Sequence, residues 1–467
     1  MGYPVEVPAR PDNEAPESPG GSPLASDVQH PEKERKPSYR RTFRNRPFFL
    51  LWVAQLVSQS GDYIFEVALL WLVLELTGSA FAVAIVVTGT ILPGVVLGPF
   101  LGVYIDRWDR RRTLVATNIV QGVVIAALSG LVIAGHVSLP GLFVVVLMLG
   151  SGATTVRVAT NAYVPSVVPV TDLPPANSLL SVSGSMNQIV GLSIGGVFVA
   201  LLGVALPIEY DAVTFFAAAL LLLLIPRAVV AADPTATPTV PRFRAELVEG
   251  FAFIRRNRFM VEIIVIGIIV NFFANGMAAL FAPYASFVLH GGPAVYGFLG
   301  AFVAAGSLIG AGVMGRIDTR HSAGRYLFGG GVAIGAVVLA LGLTGDLAVA
   351  FALMLGLGVT LAVTNIPINV VLQAKIPGRL LGRVGAAFGA LVTGVSPAGP
   401  IFAGWLAQRW SVGGVFVLSG AVIMVVIGVG AVTMPSLRSV EYYPIRPSPR
   451  PRDPSTSLAQ SRVARAR

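Results

Sequence analysis

The sequence predicts an all-α integral membrane protein with twelve transmembrane helices, and three observations support this. Only 12% of the 467 residues are charged, about half of the roughly 25% found in soluble domains. The chain contains many apolar runs of about 20 residues, the length that crosses the hydrocarbon of a bilayer. The basic residues lie almost entirely in alternate loops and at the two ends of the chain.

We expect the twelve spans to form two six-helix halves, residues 47–226 and 260–434. The predicted spans are 48–75, 80–103, 113–135, 140–163, 177–202, 207–226, 260–288, 295–314, 325–344, 347–369, 380–407 and 412–434. A weak internal similarity supports a duplication, since glycines 89 and 98 are matched by glycines 300 and 310 in the second half. Internal repeats of this kind are common in secondary transporters.

Three polar segments flank the halves. Residues 1–46 and 435–467 are rich in proline and charge, which predicts disordered tails. Residues 227–259 form a linker whose second part predicts an interfacial helix. One face of that helix carries its apolar residues: Phe243, Leu247, Phe251 and Ile254.

The positions of arginine and lysine predict the orientation. Of 33 such residues, 31 lie in the two tails and in loops 2/3, 6/7, 8/9 and 10/11, and the exceptions are Arg157 and Arg409. The positive-inside rule places these segments, and therefore both termini, in the cytoplasm of a multi-pass plasma-membrane protein. Because orientation explains the net charge of +10, we expect the lipid bilayer as a partner and no nucleic acid.

Several classes of chemistry find no support in the sequence. There is no cysteine, and the four histidines are scattered, so we expect neither a metal site nor a cofactor. The phosphate-binding, zinc-protease and nucleophile-elbow motifs are missing. We therefore predict a protein that is not an enzyme, and a monomer is the simplest assembly.

The first span carries a polar stripe on an otherwise apolar helix. Gln55, Gln59, Asp62 and Glu66 are spaced by four, three and four residues, so they fall within a sector of roughly 60°. Polar and ionisable residues within a membrane span usually face the bundle interior or a water-filled cavity. The stripe therefore predicts that this face of the first span borders a cavity, with Trp52 beside it.

Asp62 and Glu66 are one helical turn apart. Two carboxylates at that distance in a poorly solvated site resist simultaneous ionisation, which is the property that a proton-coupled carrier needs. Two alternatives remain open: the pair contacts a cationic substrate, or it forms static hydrogen bonds to another helix.

Arg157 is the one basic residue well inside a span, and it shares a helical face with Asn161. It is a candidate partner for Asp62 or Glu66 in one protonation state. The alternative is that its long side chain extends to the membrane interface.

Neutral polar and aromatic residues within the spans are candidates for substrate contacts. They are Trp52, Gln55, Gln59, Asn161, Gln188, Asn271, Phe272, Asn275, Asn365 and Asn369. The alternative is ordinary hydrogen bonding between helices, which contributes roughly 0.6 kcal/mol per bond. Glu75, Glu209 and Asp211 lie near the predicted ends of spans, so we interpret all three as interfacial.

The loop between the second and third spans carries the pattern Gly102-x-x-x-Asp106-Arg107-x-x-Arg110-Arg111. It resembles the loop 2/3 signature of the major facilitator superfamily, although Asp109 replaces the usual glycine after the Asp-Arg pair. The wider pattern resembles the branch of macrolide efflux proteins and the enterobactin exporter. The matching pieces include Phe49-Leu-Leu-Trp52, Ser58-x-x-Gly61-Asp62, Leu76-Thr-Gly-Ser79, Asp211-Ala-Val-Thr-Phe215 and Pro397 through Gly404.

This resemblance implies two six-helix halves, with spans one, four, seven and ten lining a cavity. It also implies secondary export driven by an ion gradient, usually of protons. In the loop signature, an ion pair from Asp106 to Arg110 or Arg111 would latch the cytoplasmic side, with Gly102 and Arg107 as the other members. The alternative is a charge cluster that only fixes topology.

The function that the sequence favours is export of drugs or other amphipathic small molecules by proton antiport through alternating access. One alternative is a dedicated exporter of a siderophore, metabolite or lipid. A second, from another class, is a membrane sensor that does not transport.

Overall fold

A computed structural model describes residues 38–105, 108–226, 240–317 and 323–438. The predicted all-α fold is confirmed: every regular element in this part of the chain is helical. Twelve of the described helical segments are long and apolar enough to cross a membrane, as the sequence predicted.

The first half contains six spans, preceded by a short helix. Its elements are α1 (Tyr39–Arg44), α2 (Arg46–Thr77), α3 (Ala80–Ile105), α4 (Arg110–Ile133), α5 (Leu139–Val167), α6 (Leu173–Leu202) and α7 (Ala205–Leu223). Several spans begin at side-chain caps: Asn45 accepts from the Phe48 amide, Asp109 from Arg112 and Ser138 from Gly141. Such caps satisfy amide groups that the first helical turn leaves free.

The second half begins with the linker helix α8 (Val240–Arg256). It continues with α9 (Arg258–Ala279), α10 (Phe281–Pro283), α11 (Pro293–Met314), α12 (Ala323–Leu343), α13 (Leu347–Lys375), α14 (Leu381–Thr393), α15 (Ala398–Arg409), α16 (Val412–Thr433) and α17 (Pro435–Arg438). Together, α14 and α15 form the eleventh span.

Two predicted spans differ from the structure. The seventh was predicted to reach residue 288, but α9 ends at Ala279, and the chain continues through α10 and a π-helical turn at Tyr284–Val288. The sequence stays apolar across this change of helix geometry, so composition alone does not reveal where α9 ends. The eleventh span is interrupted at residues 394–397, where Pro397 cannot donate a backbone hydrogen bond.

In each predicted tail, the residues next to the helical bundle are ordered. The Arg41 guanidinium forms an ion pair with Asp172, which precedes α6, and Asn45 donates to the Val167 carbonyl at 2.6 Å. Near the other terminus, the Ser436 hydroxyl donates to Glu262 of α9. Residues 1–37 and 439–467, the rest of the predicted tails, lie outside the described residues.

The two halves meet through two main helix pairs. Helix α6 packs against α11, and α3 packs against α15. Both contacts lie toward the end of the bundle opposite the chain termini: the Gly297 backbone approaches the Leu192 carbonyl, and Gly404 lies against Ala84. Glycine at such positions lets two helices pack closely in lipid. We call this the closed end.

The buried apolar residues form two clusters, whose positions agree with the contacts between the two halves. The larger cluster includes residues of both halves, such as Val83 and Ala403. The smaller cluster, around Phe48, Tyr163 and Leu222, lies toward the terminal end and draws only on the first half. Among the described residues, the apolar core therefore joins the halves at the closed end.

The linker helix α8 packs against α14. The Glu249 carboxylate pairs with Arg383, and the Gly250 backbone lies against the Arg383 backbone and Ala387. Of the predicted apolar face, Ile254 is buried and Phe251 is exposed, whereas the side chains of Phe243 and Leu247 lie outside what the structure describes. The linker helix is therefore fastened to the second half, and its contact with the membrane surface stays a prediction.

We expect Gly297→Ala to loosen the closed end, because an added Cβ would overlap the Leu192 carbonyl oxygen. Overpacking of this kind costs about 1–3 kcal/mol, so the closed end should open roughly tenfold more often. The chain contains no cysteine, so an Ala80→Cys reporter would measure this as faster labelling by a maleimide. Gly312→Ala on the same helix meets no atom within 4 Å and is the matched control. Equal labelling rates in both variants would contradict the prediction.

Candidate functional site

The carboxylates of the first span line a cavity inside the first half. Gln59, Asp62 and Glu66 project from α2 into a space of about 340 Å³. Phe65, Leu69 and Leu70 of the same helix also line it, and its other walls come from α3, α4, α5 and α7. The apolar members of those other walls include Val87, Leu149 and Phe215. The predicted polar stripe thus faces a cavity, with three of its four members on the wall.

A third carboxylate, Asp211 of α7, lies in the same cavity wall. Its side chain is fully buried, with 0% exposure. One oxygen, Oδ1, accepts from the Thr214 hydroxyl at 3.2 Å, whereas Oδ2 has no hydrogen-bond partner among the described protein groups. The interfacial interpretation of Asp211 was therefore wrong, because α2 and α4 pack against this part of α7 and cover it.

The contact between α2 and α7 places Asp211 beside Asp62. Gly61, the residue before Asp62, lies directly against Thr214 and the Asp211 carboxylate, where a Cβ atom would overlap both. Asp62 and Asp211 also line the same cavity. Two carboxyl groups are thus held near each other in a largely apolar region.

Gln121 of α4 completes the polar part of the wall. It is only 4% exposed, and its amide nitrogen donates to the Leu149 carbonyl at 3.5 Å. Its oxygen, Oε1, has no hydrogen-bond donor among the described groups. The side-chain amides of Gln59 and Gln121 and three carboxylates therefore line one cavity.

Glu66 also connects the two halves. The Tyr296 hydroxyl of α11 donates to Glu66 Oε1 at 3.4 Å. This hydrogen bond crosses the interface near the closed end, next to the contact between Gly297 and Leu192. Glu66 thus lies at the contact between the two halves.

Arg157 is not paired with the carboxylates in this conformation. Its side chain is exposed, and one guanidinium nitrogen lies 3.9 Å from the point where a Cβ of Gly94 would be. Among the described residues, Arg157 makes no ion pair with Asp62 or Glu66. Its predicted pairing stays a hypothesis about another conformation.

The candidate substrate residues of the first half divide into two groups. Trp52 donates to the Ser183 hydroxyl at 2.8 Å, and Gln55 donates to the Thr160 hydroxyl at 3.0 Å. These bonds join α2 to α6 and α5. Asn161 and Gln188 are instead exposed, and thus accessible to a ligand.

The candidates in the second half divide in the same way. Asn271 accepts from the Ser396 hydroxyl at 2.7 Å, at the break in the eleventh span, and Asn275 donates to Asn271. The Phe272 ring packs against Phe273 and Phe402. Two further amides, Asn365 and Asn369 of α13, are exposed and bond only to carbonyls of their own helix.

The loop 2/3 signature is partly described. The Arg111 guanidinium donates to the carbonyls of Leu222 and Leu223, and therefore caps the C-terminal end of α7. Gly102 and Arg110 belong to α3 and α4, whereas Asp106 and Arg107 lie outside the described residues. In this conformation Arg111 stabilises its own half, and the latch stays a prediction.

Residues 39–462 match the family described as transmembrane secretion effectors, a branch of the major facilitator superfamily. The chain belongs to this family. The predicted resemblance is thereby confirmed.

Relatives in this superfamily include drug-efflux proteins. The chain is 26% identical over 404 residues to the multidrug efflux pump Tap of Mycolicibacterium fortuitum, covering 85% of this chain and 97% of that protein. It is 24% identical over 387 residues to macrolide efflux protein A of Streptococcus pyogenes, covering 81% and 93%.

Solved structures show the same fold. The nucleoside transporter NupG superposes with a TM-score of 0.65 at 13% identity, covering 83% of this chain and 98% of that one. A bacterial homologue of the iron transporter ferroportin, in an inward-facing state, gives a TM-score of 0.63 at 19% identity, covering 83% and 98%. The chain is thus a multi-pass transporter of the plasma membrane, and its partners are a small-molecule substrate and the bilayer.

Sequence reasoning missed two members of the cavity wall, Gln121 and Asp211. A signal for each was available. Gln121 is a polar residue in an apolar span, and such residues are functional candidates by default. Asp211 begins the segment Asp211-Ala-Val-Thr-Phe215, which already pointed to the efflux branch. Only the packing of α7 on α2 reveals that the two belong to one site.

We expect Tyr296→Phe to weaken the closed end by removing the hydrogen bond to Glu66. A single bond to a charged group at 3.4 Å contributes about 1 kcal/mol, so the equilibrium between conformations should shift about fivefold. Maleimide labelling of the Ala80→Cys reporter would measure the shift. Tyr210→Phe is the control, because Tyr210 is an exposed tyrosine on α7. A shift of the same size in the control would remove the assigned role of Tyr296.

Proposed function

We propose that the protein exports drugs or other amphipathic small molecules by proton antiport through alternating access. The observation that carries the proposal is the pair of carboxylates on α2, Asp62 and Glu66, which share one cavity wall within a membrane span. The efflux relatives support the direction and class of transport.

The form of the bundle supports alternating access. The halves pack closely at the closed end, and the smaller core cluster does not cross between them toward the chain termini. With both termini in the cytoplasm, as the arginine distribution predicts, this conformation opens inward. Rocking of one half against the other would then expose the site to the opposite side.

The carboxylates supply the coupling. A carboxylate in a poorly hydrated span is costly when ionised, so protonation from outside and substrate binding from inside would compete for the same site. One proton moving down a potential of 100 mV provides about 2.3 kcal/mol, equivalent to a roughly 50-fold substrate gradient. We place Arg157 in the conformation that follows proton release, where its cation would compensate the free charge.

The polar residues that remain accessible suit an amphipathic substrate. Asn161, Gln188, Asn365 and Asn369 offer hydrogen bonds without charge, and Phe272 lies in an aromatic cluster on α9. In the loop signature, Asp106 would latch the cytoplasmic side when the inward opening closes. We propose that a single chain performs the cycle, which is the simplest assembly.

We expect Asp62→Asn and Glu66→Gln each to abolish uphill export, because neither amide can carry a proton. The measurement is accumulation of a panel of fluorescent drugs in a host without its own pumps, with and without a protonophore. Wild type should lower accumulation until the protonophore is added, and both variants should match the empty host.

Glu75→Gln is the matched control, since Glu75 lies at the end of the same helix and outside the lining of the cavity. It should export normally. Protonophore-sensitive export by the Asp62 and Glu66 variants at the wild-type level would refute their role. Wild-type export unaffected by the protonophore would refute proton coupling itself.

A further inference from the structure

The cavity in the first half contains a buried carboxyl group, that of Asp211, which the proposed function does not use. Asp211 is fully buried, and its Oδ2 atom has no hydrogen-bond donor among the described groups. A buried acceptor without a donor destabilises the folded state, and a charged acceptor does so more strongly. This destabilisation is relieved if the carboxyl group carries a proton or shares one.

We propose that Asp62 and Asp211 together form one proton-binding site that joins α2 to α7. The inference rests on the proposed proton coupling and specifies where the proton is held. Because Gly61 has no side chain, the Asp211 carboxyl reaches the backbone of α2 beside Asp62. A shared proton would bridge the two groups and remove their repulsion.

Among the described residues of the helices packed most closely against α7, no cation compensates the charge of Asp211. These helices are α2, α4 and α6. From α2 the facing titratable groups are Asp62, Tyr63 and Glu66, which are acidic. The basic residues of α4 lie at its first turn, where Arg111 binds the far end of α7, and α6 has no charged residue. A proton is therefore the positive charge that this site lacks.

Gln121 gives independent support for a site here. Its buried Oε1 atom faces the same cavity without a donor, so it can accept from a protonated carboxyl group or from water. A cavity of about 340 Å³ has the volume of about ten water molecules at roughly 30 Å³ each. Water in the cavity would connect the pair to Glu66, and thus to Tyr296 and the closed end.

A metal ion is a poorer match for the cavity. The described residues contain no group of three or more His, Cys, Asp or Glu side chains placed to hold a metal ion. The cationic amine of a substrate is the remaining competitor, and the experiment separates it from a proton.

The first test is infrared spectroscopy of the purified protein in lipid nanodiscs, without any substrate. Wild type should show the carbonyl band of a buried carboxylic acid at neutral pH, which disappears at high pH and shifts in heavy water. Asp211→Asn and Asp62→Asn should each reduce this band or lower the pH at which it disappears. Glu209→Gln, two residues from Asp211 on the exposed side of α7, should leave it unchanged. An identical band in wild type and Asp211→Asn would overturn the proposal.

A second test uses only the wild-type chain, so it does not depend on the folding of a variant. Dicyclohexylcarbodiimide reacts with protonated carboxyl groups in apolar surroundings, and mass spectrometry would locate the product. Label on Asp62 or Asp211 that declines as the pH rises supports the proposal. Its complete absence from both residues overturns the proposal.

Ethidium, a fluorescent cation, distinguishes the amine alternative. If Asp211→Asn binds ethidium as wild type does but loses the infrared band, the site holds a proton. If ethidium binding is lost and the band is unchanged, the site holds an amine and the proposal fails. Protonophore-insensitive export by wild type, with the band present, would refute proton-coupled export but leave the pair intact.

Discussion

The cost of placing charge in hydrocarbon governs the arrangement of this molecule. An ionised side chain at the centre of a bilayer costs several kcal/mol unless water, a proton or a counter-charge relieves it. Apart from Arg157, the arginines of the described residues therefore lie at or near the ends of the spans, where Arg41 pairs with Asp172 and Arg111 caps α7. The acidic residues that remain inside collect around one cavity of the first half.

Because of the same cost, the charge state of the cavity carboxylates depends on the groups that surround them. Asp62 and Asp211 lie on two helices of one half, whereas Glu66 contacts Tyr296 of the other half. If the pair holds a proton as we propose, we expect its protonation to change the charge next to Glu66 and, with it, the bond of Glu66 to Tyr296. A single turn of α2 would then link the charge within one half to the contact between the halves.

The sequence was sufficient for the twelve spans, because each must satisfy its backbone within a continuous apolar helix. It was insufficient where geometry changes within an apolar run, as at the end of α9 and at the break before α15. Periodicity correctly placed Gln59, Asp62 and Glu66 on one face. It could not identify Asp211, since the burial of that residue depends on Gly61 of a helix about 150 positions earlier.

The close packing at glycines explains why the two halves contact each other at the closed end. Gly297 and Gly404 bring backbones of opposite halves together at the closed end, and closely packed backbone atoms leave little room to adapt to a shift. Such an interface is either closely packed or separated, with few stable intermediate arrangements. This favours two discrete conformations over a continuous range.

The fastening of α8 to α14 has a mechanical consequence. Because the linker helix belongs to the second half, the covalent bridge between the halves is only the stretch from residue 226 to residue 240. A movement of α14 therefore carries α8 with it, together with Arg255 and Arg256 in the last turn of that helix.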